Sequence, residues 1–424
     1  MKRMIILLFV QLCTLSVIAQ DSVYARKIIM KLGSKEFYGR GYINGGIDSA
    51  ANYIENEFIR LGLKPIQDSY SQEFNVSVNT FTSTELIIDG KKLNPGADFV
   101  LDAYSGTVTG NYKAIVIDEN TRTSTKKLNK TIPKIKDNIL FLKRYEATDK
   151  NAVNWYNSVA HLNPFKASGV ILLDTQNLTY SVSLHDDISN HFVAEMSAKS
   201  IQNNKIKNVE CDIKNNFIPK YPVKNIAAYL QGQLYADSFI VITAHYDHVG
   251  MLGNAIFPGA NDNASGVAIM LDLARYLKEQ NYRPRYSIIF IAFASEEVGL
   301  LGSVHFVSNP MFDLSRIRFL INLDMVGTGS TGITVVNGTK FKTEFEKLVE
   351  INNENKFISE VKERGEACNS DHCPFYLKGV PSFFIYTTGN EYREYHNIKD
   401  CPDAVPLTAY NGLFKLIENF LYDL

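Results

Sequence analysis

The sequence has little of what marks a membrane protein, a nucleic-acid-binding protein or a thiolate metal site. After the apolar run at residues 4–19, no stretch approaches the length needed to cross a bilayer. Its 44 basic and 45 acidic residues give a net charge of -1 without a basic block, so nucleic acid and anionic membrane surfaces are poor candidates for partners. Five cysteines occur without a Cys-x-x-Cys pair, which disfavours a thiolate metal site.

The N-terminus carries a targeting pattern. Basic Lys2 and Arg3 precede the apolar run, and the small residues Val17 and Ala19 lie at its end. This pattern predicts a signal peptide at residues 1–19, export to the periplasm or the exterior, and no stable membrane insertion of the mature chain. Because the run is barely long enough to span a bilayer, a permanent signal anchor is the alternative.

Cleavage after Ala19 would leave four cysteines: Cys211, Cys368, Cys373 and Cys401. Export makes disulfides chemically permissible, and four thiols allow three complete pairings. Cys368 and Cys373 are close enough in sequence to close one loop, but sequence alone does not supply the geometry that a disulfide requires.

The rest of the chain changes character twice. Residues 20–79 are predicted to form two amphipathic helices joined by a connecting loop, Tyr38-Gly39-Arg40-Gly41. Residues 80–219 contain short β-like runs between polar loops and are predicted to be an inserted β-rich domain. Residues 220–424 alternate strands and helices, as in an α/β layered domain.

Apolar runs in the last region are predicted to be strands buried on both faces. They occupy residues 239–243, 287–293, 319–323 and 383–386. Since α/β sheets bind ligands beyond the carboxyl ends of their strands, polar residues at those ends are the candidate site.

The first two candidate segments supply a histidine and two acids. The strand at residues 239–243 leads into Ala244-His245-Tyr246-Asp247-His248, which places His245 and Asp247 just past its end. Asp262 follows in a glycine-bounded turn before a predicted helix. An acid there could cap the helix, or it could direct both carboxylate oxygens outward and bridge two cations.

Further acids and a histidine follow the later strands. Glu296 and Glu297 end the second apolar strand, where uncompensated anions would be costly. In extended backbone their side chains would point in opposite directions, so one could bind metal and the other act as a base. Asp324 ends the third strand, and His396 lies in a loop after the fourth. Such nitrogen and oxygen ligands suit a divalent ion, and zinc is the expected one, although these ligand types do not distinguish zinc from manganese or cobalt.

These motifs occur in the order typical of a known family. The segments His-Tyr-Asp-His, Gly-Ala-Asn-Asp-Asn-Ala-Ser-Gly, Ser-Glu-Glu, Asn-Leu-Asp-Met and the final Tyr-His resemble those of the M28 family of zinc peptidases, which includes secreted bacterial aminopeptidases. The resemblance covers residues 222–424 and the helical segment before residue 80. It implies an α/β three-layer sandwich with a mixed sheet between helices, and it is loosely compatible with a protease-associated type of insert at residues 80–219.

The resemblance also implies a set of roles. One zinc ion would be held by His245, Asp262 and Asp324, and a second by Asp262, Glu297 and His396. Glu296 falls on the general base, and Asp247 falls on the acid that orients His245. The expected substrates are peptides with a free amino terminus.

Three alternatives remain. Glutaminyl cyclases share this fold and much of the motif set, although the animal enzymes place tryptophan where this chain has Tyr395. A carboxypeptidase or another amidohydrolase of the same fold is the second. The third is an inactive member that binds peptides or a partner through the insert. Such a member would lack a metal ligand or the base, and this sequence lacks neither.

Overall fold

The computed structural model describes residues 22–184, 187–201, 206–280 and 284–424. The predicted signal peptide at residues 1–19 lies outside the described residues. The helices are α1 Ser22–Leu32, α2 Gly46–Arg60, α3 Glu119–Thr123, α4 Thr125–Thr131, α5 Lys150–Leu162, α6 Ser265–Glu279, α7 Leu301–Ser308, α8 Lys342–Asn355, α9 His372–Leu377 and α10 Tyr410–Asp423.

The strands follow the same chain order. They are β1 Lys64–Pro65, β2 Ser71–Ile88, β3 Lys91–Lys92, β4 Phe99–Leu101, β5 Val108–Ile117, β6 Ile139–Leu142, β7 Gly169–Asp174, β8 Phe192–Ser197, β9 Asn208–Leu230, β10 Tyr235–His245, β11 Met251–Leu252, β12 Ala255–Ile256, β13 Tyr286–Phe293, β14 Ile317–Leu323, β15 Gly332–Val336, β16 Val361–Glu363 and β17 Ser382–Thr388.

A mixed sheet forms the centre of the C-terminal region. Its strand order is β16-β15-β17-β14-β10-β13-β9. The strands β17, β14, β10 and β13 are parallel, with Val241 of β10 opposite both Ile289 and Leu320. The outer strands β15 and β9 run antiparallel to β17 and β13. The four parallel strands therefore end at one edge of the sheet, which collects the residues that follow them.

Alternate residues of the central strands face two different cores. In β10, Ile240 and Ile242 belong to the core that includes residues of α1, α2 and α6. Val241 points the other way, into a core that contains Phe306 of α7 and Phe375 of α9. Because side chains alternate along a strand, this division shows helices on both faces of the sheet. The predicted α/β three-layer arrangement with a mixed sheet is confirmed.

The long strands β2 and β9 extend this sheet into the region of residues 80–219. They pair antiparallel from Ser71↔Ile226 to Ile88↔Val209, and β9 continues the pairing to β5. From there β5, β6, β7 and β8 form parallel neighbours, with β4 antiparallel to β8. The region predicted to be β-rich thus also contains α3, α4 and α5. Tyr156, Val159 and Ala160 of α5 belong to a separate small core, and Leu128 of α4 packs against it.

Two further sequence-level points are resolved. Cys368 and Cys373 are joined in a disulfide with their Cα atoms 5.0 Å apart, whereas Cys211 and Cys401 are free thiols. Within residues 22–184, 187–201, 206–280 and 284–424, the structure has no helix with both the length and the apolar character for crossing a bilayer.

Candidate metal centre

The end of β10 supplies a buried imidazole. His245 is the last residue of the strand, and its Nε2 atom lies 3.3 Å from Asp262 Oδ1 and 3.3 Å from Asp324 Oδ1. Its Nδ1 atom lies 3.3 Å from the carbonyl oxygen of Asp247 and 3.7 Å from that residue's Oδ1. With Nδ1 facing Asp247, the Nε2 lone pair is available on the side of the two carboxylates.

The turn before α6 places one carboxylate between two histidines. Asp262 Oδ1 faces His245, and Oδ2 lies 3.2 Å from His396 Nε2. The buried Asp400 carboxylate accepts hydrogen bonds from the backbone N–H groups of Asn261, at 2.9 Å, and Asp262, at 3.1 Å. Asp400 therefore ties this turn to the loop that carries His396, and Asp262 has the geometry of a bridging ligand.

The two adjacent glutamates point to different places. Glu297 Oε2 lies 3.0 Å from His396 Nε2, and Glu297 Oε1 lies 2.8 Å from His248 Nδ1. Glu296 instead groups with His245 and Asp324. The predicted divergence is correct, but its predicted cause is wrong. The chain leaves the extended conformation at Ser295, where φ is +60°, and a turn, rather than strand alternation, separates the two carboxylates.

Asp247 lies behind this pair. Its Oδ1 accepts a hydrogen bond from the N–H of Glu296 at 3.1 Å, and its Oδ2 accepts one from the N–H of Glu297 at 3.2 Å. The side chain is completely buried. Asp247 thus holds the backbone of the glutamate turn against the loop after β10, in addition to facing His245.

The remaining two predicted ligands are also held by neighbours. Asp324 Oδ2 accepts a hydrogen bond of 2.7 Å from the hydroxyl of Ser370, which leaves Oδ1 toward His245. His396 Nδ1 donates to the carbonyl oxygen of Tyr180 at 2.9 Å, and the Tyr180 N–H donates to the His396 carbonyl at 2.8 Å. Because Nδ1 carries that proton, Nε2 is left free to bind a metal. Tyr180 comes from the region between β7 and β8.

The side chains form two groups that could each hold a cation. Their candidate donor atoms lie within 4.8 Å of one another in each group. The first group is His248, Asp262, Glu297 and His396, and the second is His245, Glu296 and Asp324. The residues predicted as ligands and base therefore come together at one edge of the sheet. His248 was missed, although its place in His-Tyr-Asp-His directly after β10 was the available signal.

Burial and opposite charges act together on the pKa values of these groups. Burial raises the pKa of Glu296 well above its ordinary value, and Glu297 and Asp324 add to this effect against the opposing influence of His245. Burial also disfavours the charged form of Glu297, but His396 and His248 outweigh it and lower its pKa to about 2. The two neighbouring carboxyl groups are thus driven in opposite directions, which suits one for proton transfer and the other for binding a cation.

The donor set fits divalent metal. The carboxylates of Asp262, Glu297 and Asp324 are buried close together, an arrangement that is costly without cations. His396 Nε2 is buried without a hydrogen-bond partner, although two carboxylate oxygens lie 3.0 and 3.2 Å away. A nitrogen aimed at the same point as these oxygens, without donating to either, is the arrangement expected around a metal ion.

Comparison with known proteins agrees with this geometry. Residues 225–421 match the profile of peptidase family M28. Aminopeptidase YwaD of Bacillus subtilis is 36% identical over 191 residues, covering 43% of this chain and 40% of its own length. A probable leucine aminopeptidase of Arthroderma otae is 30% identical over 214 residues, covering 48% and 58%. The chain thus spans roughly half the length of these curated relatives.

Solved structures extend the similarity of fold over nearly the whole chain. The zinc aminopeptidase BSAP of Bacillus subtilis superposes with a TM-score of 0.72 at 21% identity, covering 95% of both chains. An M28 peptidase precursor of Shewanella amazonensis gives a TM-score of 0.71 at 16% identity, covering 95% of this chain and 93% of its own. At these identities the superpositions concern the fold alone.

Proposed function

Because residues 225–421 belong to peptidase family M28, we propose that this chain is a zinc-dependent aminopeptidase that removes N-terminal residues from peptides. The observation that carries the proposal is the position of Asp262, whose two carboxylate oxygens face different histidines, His245 at 3.3 Å and His396 at 3.2 Å. The relatives named as aminopeptidases and the zinc aminopeptidase of the same fold support it.

Two zinc ions would share Asp262. One would be held by His245, Asp262 and Asp324, and the other by Asp262, Glu297 and His396. Bound zinc would polarise the substrate carbonyl and ease the ionisation of water.

Glu296 is the base in this proposal. Its carboxylate takes the proton of the attacking water and later gives it to the departing amine. The pKa of Glu296 is raised, first by burial and then by Glu297 and Asp324, which makes its carboxylate a stronger proton acceptor than an ordinary glutamate. Asp247 accepts a hydrogen bond of 3.1 Å from the Glu296 N–H and so holds the backbone from which this carboxylate extends.

The finer features of the proposal concern location and architecture. The pattern at residues 1–19 supports export to the periplasm or exterior, and N-terminal sequencing of the mature protein would show cleavage after Ala19. The sheet joined through β2 and β9 supports an insert at residues 80–219 between two parts of one peptidase domain, residues 20–79 and 220–424.

The decisive assay uses matched substrates. Aminoacyl p-nitroanilides with a free amino group would be compared with their N-acetylated forms, before and after chelation and zinc readdition. We expect turnover of the free-amino substrates only, loss of turnover with chelator, and recovery with about two zinc ions per chain. No turnover by zinc-loaded protein would refute the proposal. Formation of a ring from an N-terminal glutaminyl peptide would identify a cyclase instead.

A further inference from the structure

Arg40 is the feature of the N-terminal segment that sequence reasoning missed. It lies in the loop predicted to be a connector, outside the residues that match the M28 profile. The structure buries it completely. Its guanidinium donates to five backbone carbonyl oxygens, those of Tyr246 at 2.8 Å, Leu32 at 3.1 Å, Pro258 at 2.6 Å, Gly259 at 2.7 Å and Asp262 at 3.2 Å.

Four of these carbonyls belong to two different loops of the metal centre, and the fifth, that of Leu32, ends α1. Tyr246 lies between His245 and Asp247, whereas Gly259 and Asp262 belong to the turn before α6. A single rigid guanidinium, with Nε on the first loop and Nη2 on the second, therefore fixes the distance between them. A lysine ammonium offers three donors from one point and cannot span the same carbonyls.

The backbone around Arg40 adds to this connection. The carbonyl oxygen of Arg40 accepts a hydrogen bond from the His248 N–H at 3.3 Å, and that of Gly39 accepts one from the Gly250 N–H at 3.1 Å. A side chain at Gly41 would place its Cβ 2.5 Å from Gly250 Cα. The loop after β10 thus rests directly on residues 39–41.

The charge of Arg40 also bears on the centre. Its side-chain hydrogen bonds go to neutral carbonyls, and among the described residues no carboxylate lies within ion-pair distance of it. An arginine guanidinium is a cation at neutral pH, and the acids whose charges act on it include Asp262, Asp400 and Asp247. It is a buried cation beneath a cluster of carboxylates, where its field offsets part of their mutual repulsion.

We propose that Arg40 is a positioning residue for the metal centre, which holds His245 and Asp262 at the separation that a shared ion requires. The N-terminal helical segment is therefore a working part of the catalytic unit. This inference rests on the proposed function only in assuming that the centre binds zinc.

The test compares two buried arginines. Arg40→Lys and Arg40→Gln would be set beside Arg275→Lys and Arg275→Gln, because Arg275 is also buried but pairs with Asp272 within α6. Zinc affinity would be measured by competition with a chromogenic chelator, together with the Tm of the metal-free proteins, kcat and KM. Both pairs of variants should lower Tm.

Only the Arg40 variants should weaken zinc binding, by roughly 10–100-fold, as is usual when a partner of metal ligands is lost. Lysine should restore part of the affinity that glutamine loses, and kcat at limiting zinc should fall with little change in KM. Wild-type zinc affinity in Arg40→Lys, with a Tm loss equal to that of Arg275→Lys, would overturn the inference. Failure of the wild type to bind zinc would refute the proposed function instead.

A measurement on the wild-type protein tests the inference even if the Arg40 variants do not fold. Hydrogen exchange would be followed in peptides spanning residues 35–42 and 245–250, with and without zinc. We expect zinc to slow exchange in both, although residues 35–42 contain no proposed ligand. Unchanged exchange in residues 35–42 alongside protection of residues 245–250 would show that the segment is not coupled to the centre.

Discussion

The adjacent glutamates should respond in opposite ways to the same substitution. Glu296→Gln is expected to leave folding and zinc content intact while removing most of the activity. Glu297→Gln is expected to release zinc. The reason is that Glu297 contacts His248 at 2.8 Å and His396 at 3.0 Å, whereas Glu296 is grouped with His245 and Asp324 as the proposed base.

The size of each effect follows from these environments. Loss of a general base costs roughly 10²–10⁴-fold in rate, which is about 3–5 kcal/mol of transition-state stabilisation. Burial raises the pKa of Glu296, so its ionised form disfavours the metal-free fold at neutral pH, and a neutral amide should not lower Tm. For Glu297→Gln, zinc affinity should fall by more than the roughly 10–100-fold loss that is typical when a residue hydrogen-bonded to a metal ligand is replaced.

The assay needs three readouts on one set of proteins. For the wild type and both variants we would measure the zinc content per chain after gel filtration, the Tm in the presence of chelator, and the kcat on a p-nitroanilide with a free amino group. Glu360→Gln, an exposed glutamate far along the chain, serves as the matched control and should equal the wild type. The reasoning fails if Glu296→Gln keeps more than a tenth of the wild-type kcat, or if it loses zinc as Glu297→Gln does.

Three further outcomes are expected. Asp247→Asn should weaken zinc binding roughly 10–100-fold, because an amide cannot accept both glutamate N–H groups; unchanged affinity in the chelator competition would contradict this. Replacing Cys368 and Cys373 by serine should cost about 2 kcal/mol of unfolding free energy from the short closed loop, and equal denaturation midpoints would show that the bridge adds nothing. Tyr180→Ala should weaken zinc binding more than Tyr180→Phe, since loss of the buried ring loosens the carbonyl that holds His396; equal affinities of the two variants would exclude that role.

Sequence patterns were sufficient for the elements of the catalytic region. The helix predicted to follow the turn at Asp262 is α6, Ser265–Glu279, and the strand predicted at residues 287–293 is β13, Tyr286–Phe293. Both are marked by local signals, a small-residue turn before a long apolar helix and a continuous apolar run. Motif order together with these elements also selected the residues that the structure brings to one edge, with the exception of His248.

Other features could not be read because their signal is not local. Arg40 looked like part of a connector, since the five carbonyls that surround it come from segments up to 222 positions away. The place of His248 in His-Tyr-Asp-His indicated that it lies near the strand end, but not that its ring contacts Glu297. Every residue has a backbone carbonyl, so the sequence does not show which of them accepts a hydrogen bond from a given side chain. The contact of His396 with the Tyr180 carbonyl could therefore not be predicted.

The division between the two sources of information has a physical basis. The sequence by itself determined which residue types end each buried strand, because burial periodicity and turn chemistry are properties of neighbouring residues. Only the tertiary structure decided which oxygen of Asp262 faces which histidine, how the turn at Ser295 separates Glu296 from Glu297, and that an N-terminal arginine lies beneath them. Those facts depend on distances between distant segments, which packing sets once the parallel strands align their ends.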